Sequence, residues 1–552
     1  MRSPLQLRSE FLRRLRGKER QLKYLLAGTL FALLNAWTIW AAIHSPRGAI
    51  AILTITTALW LWVILSLFEK ISWFRAFLDS AHRFYRIHVG YRIRLSVGLT
   101  IFLAGAVYVV VEASHSAAQL VSLGGLLLLL AISVLFSNNP ARIAWRPVLW
   151  GLFLQFLAAF LILRTSVGHD ALQFVVDQMV VFLGYTQSGT DFVYGFIPNP
   201  PNVCGMSGPF AYTSLPIIIY FGSLCSFFYY YGVVQWVLSK MAMFLQLTMG
   251  TTAAESLNAA ASIFLGPTEA AVMMKIALRT MTESEILTTL TAGFAMISGS
   301  LFSIYIGFGA CSTYILSANV MSAPAVLCVS KLLCPEVQHS KQRSMKDFRF
   351  PECEESSGLE AISNGAVQAV KVIAAIIANV IVFIAFVAFF DAIIDYLALR
   401  VGLHGVNFNT LLSYLFYPFA YVCGVIDSEE ETMRVAQLIG TKTVLNEFIA
   451  YQQMSDMLLA NQLSPRAQMI TVFALCGYSN FSQIGTQLGI FGALCSERKE
   501  SYANLTVRAM IAGCIACLMT ACIAGAITND AKGCLPTAAS THCLTLTNST
   551  FV

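Results

Sequence analysis

Charge is what this sequence has least of. Only 12% of its 552 residues are Asp, Glu, Lys or Arg, against roughly 25% in a soluble domain. A chain so poor in charge and 57% hydrophobic is not a string of soluble domains; it reads as an all-α polytopic membrane protein. Catalytic signatures are missing too. No HExxH, GxSxG or paired-aspartate arrangement occurs, and the fourteen cysteines show no zinc-type spacing. Most of them lie in apolar runs, where cysteine acts as a small hydrophobe. The net charge of +6 implies no nucleic acid, because the basic residues gather in short hydrophilic loops. No cleavable leader is expected: the first 23 residues are basic, and the apolar run after them is long enough to span.

What is present is a series of apolar runs. Spans are expected at about 24–44, 49–68, 95–113, 117–136, 148–166, 206–232, 286–309, 312–334, 371–396, 468–492 and 507–528, eleven in all. Interfacial helices suit 168–187, which His169, Asp170 and Asp177 interrupt, and 233–248. An amphipathic piece runs from Val401 to Glu431. The basic segment 1–23 and the basic loop 69–94 belong in the cytoplasm. An odd number of spans then leaves the tail, 531–552, outside. There Asn548-Ser549-Thr550 is a glycosylation acceptor, and Cys534 and Cys543 are positioned to pair in an oxidising compartment. The division expected is a basic N-terminus 1–23, N-terminal helices 24–166, a core 167–530 and the tail.

Two further runs are interrupted. In 249–280, Leu265-Gly266-Pro267-Thr268-Glu269 puts a breaker pair and a carboxylate inside apolar sequence. Both ends of this run are expected in the cytoplasm, which makes it a re-entrant hairpin. In 432–460, Lys442, Asn446 and Glu447 mark a second hairpin, entered from outside. Irregular backbone at membrane depth survives only where protein buries it or it lines a wet cavity, and an ionisable residue there marks a functional site. The two regions also repeat. Thr268-Glu269 precedes Gly293-Phe294 and Ser298, as Asn446-Glu447 precedes Gly477-Tyr478 and Ser482. Inverted pairs of broken segments point to a transporter's midplane site. A channel or receptor-like binding protein, and an intramembrane acid–base enzyme, are the competing classes.

The stretch Met249-Gly250-Thr251-Thr252-Ala253-Ala254-Glu255-Ser256, with Gly266-Pro267-Thr268-Glu269-Ala270 and Ala292-Gly293-Phe294, resembles the concentrative nucleoside transporter family. So do Leu445-Asn446-Glu447-Phe448-Ile449-Ala450-Tyr451 and Ala474-Leu475-Cys476-Gly477-Tyr478-Ser479-Asn480-Phe481. The resemblance covers roughly 170–530, and the eleven-span pattern is similar to the eukaryotic branch. It implies a plasma-membrane homotrimer importing purine or pyrimidine nucleosides with a cation, without an organic cofactor. Each protomer's site would lie between two hairpin tips and two unwound helices.

By that resemblance Glu447 accepts ribose hydroxyls, a diol offering two donors to one carboxylate. Glu269 and Thr268 sit near the base, Asn480 binds ribose, and Tyr478 stands where an aromatic ring meets the nucleoside; Asn446 interrupts the second hairpin. Departures follow residue by residue. Pro267 stands where many members carry a Gln that bonds the base, and Gly266 beside it leaves space that suits a purine. Ser300 and Leu301 fall where base preference is tuned and resemble the pyrimidine-accepting pattern. Gln483 replaces a Ser that reaches ribose. The implied sodium set is Ser262 and Met296 side chains with the Leu265 and Ile297 carbonyls. Ser262 replaces Asn and keeps an oxygen. Met296 replaces Ser or Thr, and a thioether is a poor ligand for a hard cation, so proton coupling through a glutamate stands beside sodium coupling.

Overall fold

The computed structural model describes residues 19–44 and, apart from 199, 201–207, 346, 347, 352, 354, 404, 405 and 529, residues 116–536, with ten isolated positions between 53 and 114. It divides into two units, Met1–Ile101 and Phe102–Val552. In the first, helix α1 (Glu19–His44) carries Asn35, whose Oδ1 accepts the Trp60 indole N–H at 2.7 Å. The expected spans 49–68 and 95–113 lie mostly outside the described residues, as do Cys543 and Asn548.

The second unit is helical throughout its described residues. It opens with α2 (Ala117–Leu135), α3 (Trp145–Arg164), α4 (Ser166–Gly184), α5 (Thr186–Tyr194), α6 (Phe210–Thr213), α7 (Ile217–Tyr230) and α8 (Val233–Met249). Two short helices follow, α9 (Ala253–Ser262) and α10 (Pro267–Met273), then α11 (Glu283–Ala295), α12 (Phe302–Gly307) and α13 (Ser312–Leu333). The second half runs α14 (Gly358–Arg400), α15 (Phe408–Val422), α16 (Glu429–Val444), α17 (Glu447–Leu459), α18 (Pro465–Leu475), α19 (Phe481–Leu494) and α20 (Lys499–Ile527). Six helical stretches among the described residues are long and apolar enough to cross a membrane: Ala117–Leu135, Trp145–Arg164, Phe210–Tyr230, Ser312–Leu333, Gly358–Arg400 and Ser496–Ile527. Each overlaps one of the expected spans. The runs 286–309 and 468–492 are not continuous spans; each is split in the middle, into α11 with α12 and α18 with α19.

The core forms around α13, almost every residue of which is buried, and α20, which is buried over most of its length. Against them pack the broken helices. Local chemistry sets their ends. Thr252 with Glu255 opens α9, and Thr282 with Glu285 opens α11, each pair a reciprocal capping box. Pro267 stands at the first position of α10, where its missing N–H costs nothing. Asn446 caps α17 by accepting the Ile449 N–H at 3.0 Å.

Between these helices lies a buried ionic cluster. Lys331 on α13 pairs with Glu255 and bonds Ser284 Oγ at 2.8 Å. Glu336 Oε2 is 3.4 Å from its ammonium and accepts Thr282 Oγ1 at 2.9 Å. The cluster ties α9, α11 and α13 into one body. In contrast α14 has 43 residues, about 65 Å of helix, and is largely exposed along its apolar length.

The tail departs from expectation. Cys534 is bonded to Cys311, not to Cys543. The reason is local: residues 532–534 fold back onto the start of α13. The Lys532 N–H donates to Tyr314 Oη at 2.8 Å, and Gln468 bonds both the N–H and the C=O of Cys534, at 3.0 and 2.7 Å.

Candidate functional site

The two breaks in the long helices meet. After α18 the chain turns at Gly477, where φ is +105°. A Cβ there would lie 2.6 Å from the Ala295 carbonyl carbon and 2.8 Å from the Phe294 oxygen. Only glycine meets both the left-handed backbone and the close approach. The next residue, Tyr478, ties the halves together: its Oη accepts the Ser298 N–H at 2.8 Å and donates to Ser298 Oγ at 3.1 Å.

Glu447 opens α17 and is 3% exposed. Its Oε2 accepts from Asn480 Nδ2 at 2.9 Å, and its Oε1 from Tyr305 Oη at 3.4 Å. Asn480 in turn caps α19 by accepting the Gln483 N–H at 2.8 Å. A buried carboxylate thus has two neutral donors beside it and retains lone pairs for more. Tyr305 is completely buried, stacked on Tyr451 with ring centroids 4.4 Å apart.

The break between α9 and α10 carries the second carboxylate. Glu269 lies in the first turn of α10 and is exposed, unlike Glu447. A Cβ on Gly266 would sit 2.5 Å from Glu269 Oε2 and 3.4 Å from Ser298 Cβ. The space expected at Gly266 for a purine is therefore filled by the Glu269 carboxylate. Pro267 and Thr268 are half-buried beside it. Ser300 Oγ lies 2.8 Å from Ser298 Oγ, and Leu301, buried, caps α12.

The residues of the implied cation set are all buried. Ser262 Oγ donates to the Asn258 carbonyl at 2.9 Å, leaving its lone pairs free. The Ile297 carbonyl already accepts one N–H, from Asn319 Nδ2 at 3.0 Å, and Asn319 Oδ1 accepts the Ile297 N–H at 3.0 Å. Asn319 also reaches the Ile263 carbonyl at 2.5 Å. A hydroxyl and carbonyls are the donors a hard cation needs; the Met296 sulfur is not.

Two functional candidates escaped the sequence reading of the site, Tyr305 and Asn319; a third, Lys442, stood out there only as a mark of the second interrupted run. Lys442 on α16 is 2% exposed. Its ammonium donates to the carbonyls of Ala474 at 2.9 Å and Cys476 at 3.2 Å, at the C-terminal end of α18. A cation there meets the negative end of the helix dipole. No ion pair to it is present among the described residues. Asn319 and Lys442 do matching jobs: each satisfies carbonyls freed where a long helix breaks, one in each half.

The chain matches three family models in succession: the sodium-dependent nucleoside transporter N-terminus over residues 124–197, nucleoside recognition over 211–311, and the sodium-dependent nucleoside transporter C-terminus over 314–525. It is 38% identical over 483 residues to mouse sodium/nucleoside cotransporter 2, covering 84% of this chain and 69% of the relative. To human sodium/nucleoside cotransporter 1 it is 37% identical over 467 residues, 82% of this chain and 70% of that one. A solved structure of CNTnw in an inward-facing, substrate-bound state superposes with a TM-score of 0.70 at 32% identity, covering 74% of this chain and 98% of that one. A variant of CNTnw in an outward-facing state superposes at 0.69, again at 32% identity, with coverages of 75% and 98%.

Proposed function

The chain belongs to the concentrative nucleoside transporter family, and we propose that it imports nucleosides through the site formed by Glu447, Asn480, Tyr305, Glu269 and Ser298. It is a sodium-coupled nucleoside symporter of the membrane that works by alternating access. The observation that carries the site assignment is the buried Glu447 carboxylate. It is held by two neutral donors at a helix break, opposite the second break. A ribose diol donating to Glu447 forms charge-assisted bonds in a water-poor setting. Asn480, Gln483 and Asn446 frame that end. Thr268, Glu269, Ser300, Leu301 and the turn at Gly266-Pro267 face the base, and the Tyr478 ring lies between.

Sodium is the co-transported cation, held by Ser262 Oγ and the Leu265 and Ile297 carbonyls, with Met296 contributing no oxygen. The 167–530 core contains two re-entrant hairpins, α9–α10 and α16–α17, which enter from opposite faces. The exposed apolar length of α14 supports a homotrimeric scaffold against which the core moves. The protein resides in the plasma membrane with its N-terminus inside. Its C-terminal tail lies outside, in keeping with the Cys311–Cys534 bond, and Asn548 there carries glycan.

The test is radiolabelled uridine and adenosine uptake in transport-deficient cells, at pH 7.5 and 5.5, with sodium or choline. Saturable uptake that needs sodium at both pH values is expected. Uptake that needs acid and ignores sodium would replace sodium by a proton. Uptake of neither nucleoside, with protein at the surface, would refute the substrate.

A further inference from the structure

One polar side chain near the site has no partner. Gln487 on α19 is completely buried, yet neither its Oε1 nor its Nε2 has a hydrogen-bond partner among the described residues. An amide left so inside a protein is a costly exception that requires a reason. Its position is also enforced. A Cβ on Gly293 of α11 would lie only 2.1 Å from Gln487 Nε2, so glycine at 293 is what lets the amide lie against α11.

Helical spacing places Gln487 in line with the site. Asn480, Gln483 and Gln487 fall at i, i+3 and i+7, on one side of α19. The stripe ends at Phe491, the next buried residue. Gln487 lies about 10 Å along the axis from Asn480, at 1.5 Å per residue, in the direction of Arg498. α19 packs against α10, α11, α16 and α20, and the Gln487 amide lies against Gly293 of α11. α10 is the arm that begins at Gly266 and bears Glu269.

We propose that Gln487 is a transit contact for the nucleoside, an amide that hydrogen-bonds it after it leaves Glu447 and Asn480 and passes between α19 and α10 toward the Arg498 end. The proposal rests on the transporter reading. An amide offers both donors and an acceptor, so it suits a ligand whose hydroxyls and base edges present both. Among the described residues nothing answers it; the partner arrives with the substrate. A solely structural glutamine would instead be bonded to the helices that bury it.

The experiment replaces Gln487 by Leu and, separately, by Met, and compares both with wild type in proteoliposomes. Thermal stability, uridine affinity of the purified protein and uridine turnover are measured. The expected result is an unchanged or raised melting temperature and a uridine Kd within twofold of wild type. Turnover falls about five- to tenfold, the effect of one neutral hydrogen bond lost from the barrier. Wild-type turnover in both variants would overturn the proposal. So would failure of both to fold, because it would give the amide a structural duty that its lack of partners denies. A wild-type protein that moves no nucleoside would instead overturn the transporter reading itself.

Discussion

Replacing Lys442 by Met isolates what the buried ammonium does, because Met keeps the length and apolar stem and loses only the charge and donors. The ammonium serves two carbonyls. Cys476 O has a second donor, Cys517 Sγ at 2.7 Å, whereas the Ala474 oxygen gets its side-chain bond from Lys442 alone among the contacts described. Removing the lysine therefore leaves one carbonyl short of a donor, at a cost of about 1–3 kcal/mol. The opposing gain is relief from burying an ammonium, several kcal/mol in a dry site, so global stability changes little. The site does not escape in the same way. The end of α18 leads within six residues to Tyr478 and Asn480. A loss of about 1–3 kcal/mol concentrated there corresponds to a fivefold to 150-fold rise in nucleoside KM. The assay is initial-rate uridine uptake normalised to surface protein. Thr443→Ala, which removes a hydroxyl that donates to the Ile439 carbonyl of its own helix at 2.8 Å, serves as a neighbouring control and stays within twofold. A Lys442→Met protein with wild-type KM would refute the role assigned to this lysine.

Glu447→Gln keeps an acceptor for Asn480 but removes the charge; uridine KM rises at least tenfold while surface expression persists, since charged acceptors bind about twice as strongly as neutral ones. Lys331→Met leaves Glu255 buried without its cation and lowers stability by about 3–5 kcal/mol; melting in detergent reports it, and adding Glu255→Gln recovers part of the loss. Cys311→Ser, Cys534→Ser and the double variant remove the same link, so the three melt alike, below wild type; maleimide labels Cys534 in the Cys311→Ser variant without prior reduction, and labelling of Cys534 in unreduced wild type would contradict the pairing.

The parts of the site that could be read were those where local chemistry contradicts its surroundings. Gly266-Pro267 cannot continue a helix, and Asn446 can cap one, so both breaks announce themselves inside apolar runs. The carboxylates beside them stand out for the same reason. What stayed hidden depends on contacts between distant stretches. Tyr305 reads as one more aromatic in a membrane run until Glu447, 142 positions on, accepts its hydroxyl. Asn319 sits within a helix whose sequence gives no hint that neighbouring segments have released carbonyls toward it, and Lys442, conspicuous as a charge in an apolar run, does not reveal in sequence that its partners are the Ala474 and Cys476 carbonyls. The difference between the exposed Glu269 and the buried Glu447 likewise comes from packing, since the two have similar local sequences. Cys311 is the instructive case. The expected spans 286–309 and 312–334 place it between them on the outer side, the side assigned to the tail, so the correct partner for Cys534 was within reach. Proximity in the chain favoured Cys543 instead. Loop closure grows only slowly more costly with length, so the 223 residues between Cys311 and Cys534 are a weak barrier once Gln468 and Tyr314 hold the tail against α13. The same holds for Asn319 and Lys442, whose partners lie 22 to 56 positions away in other segments: packing decides the pairing more than distance in sequence.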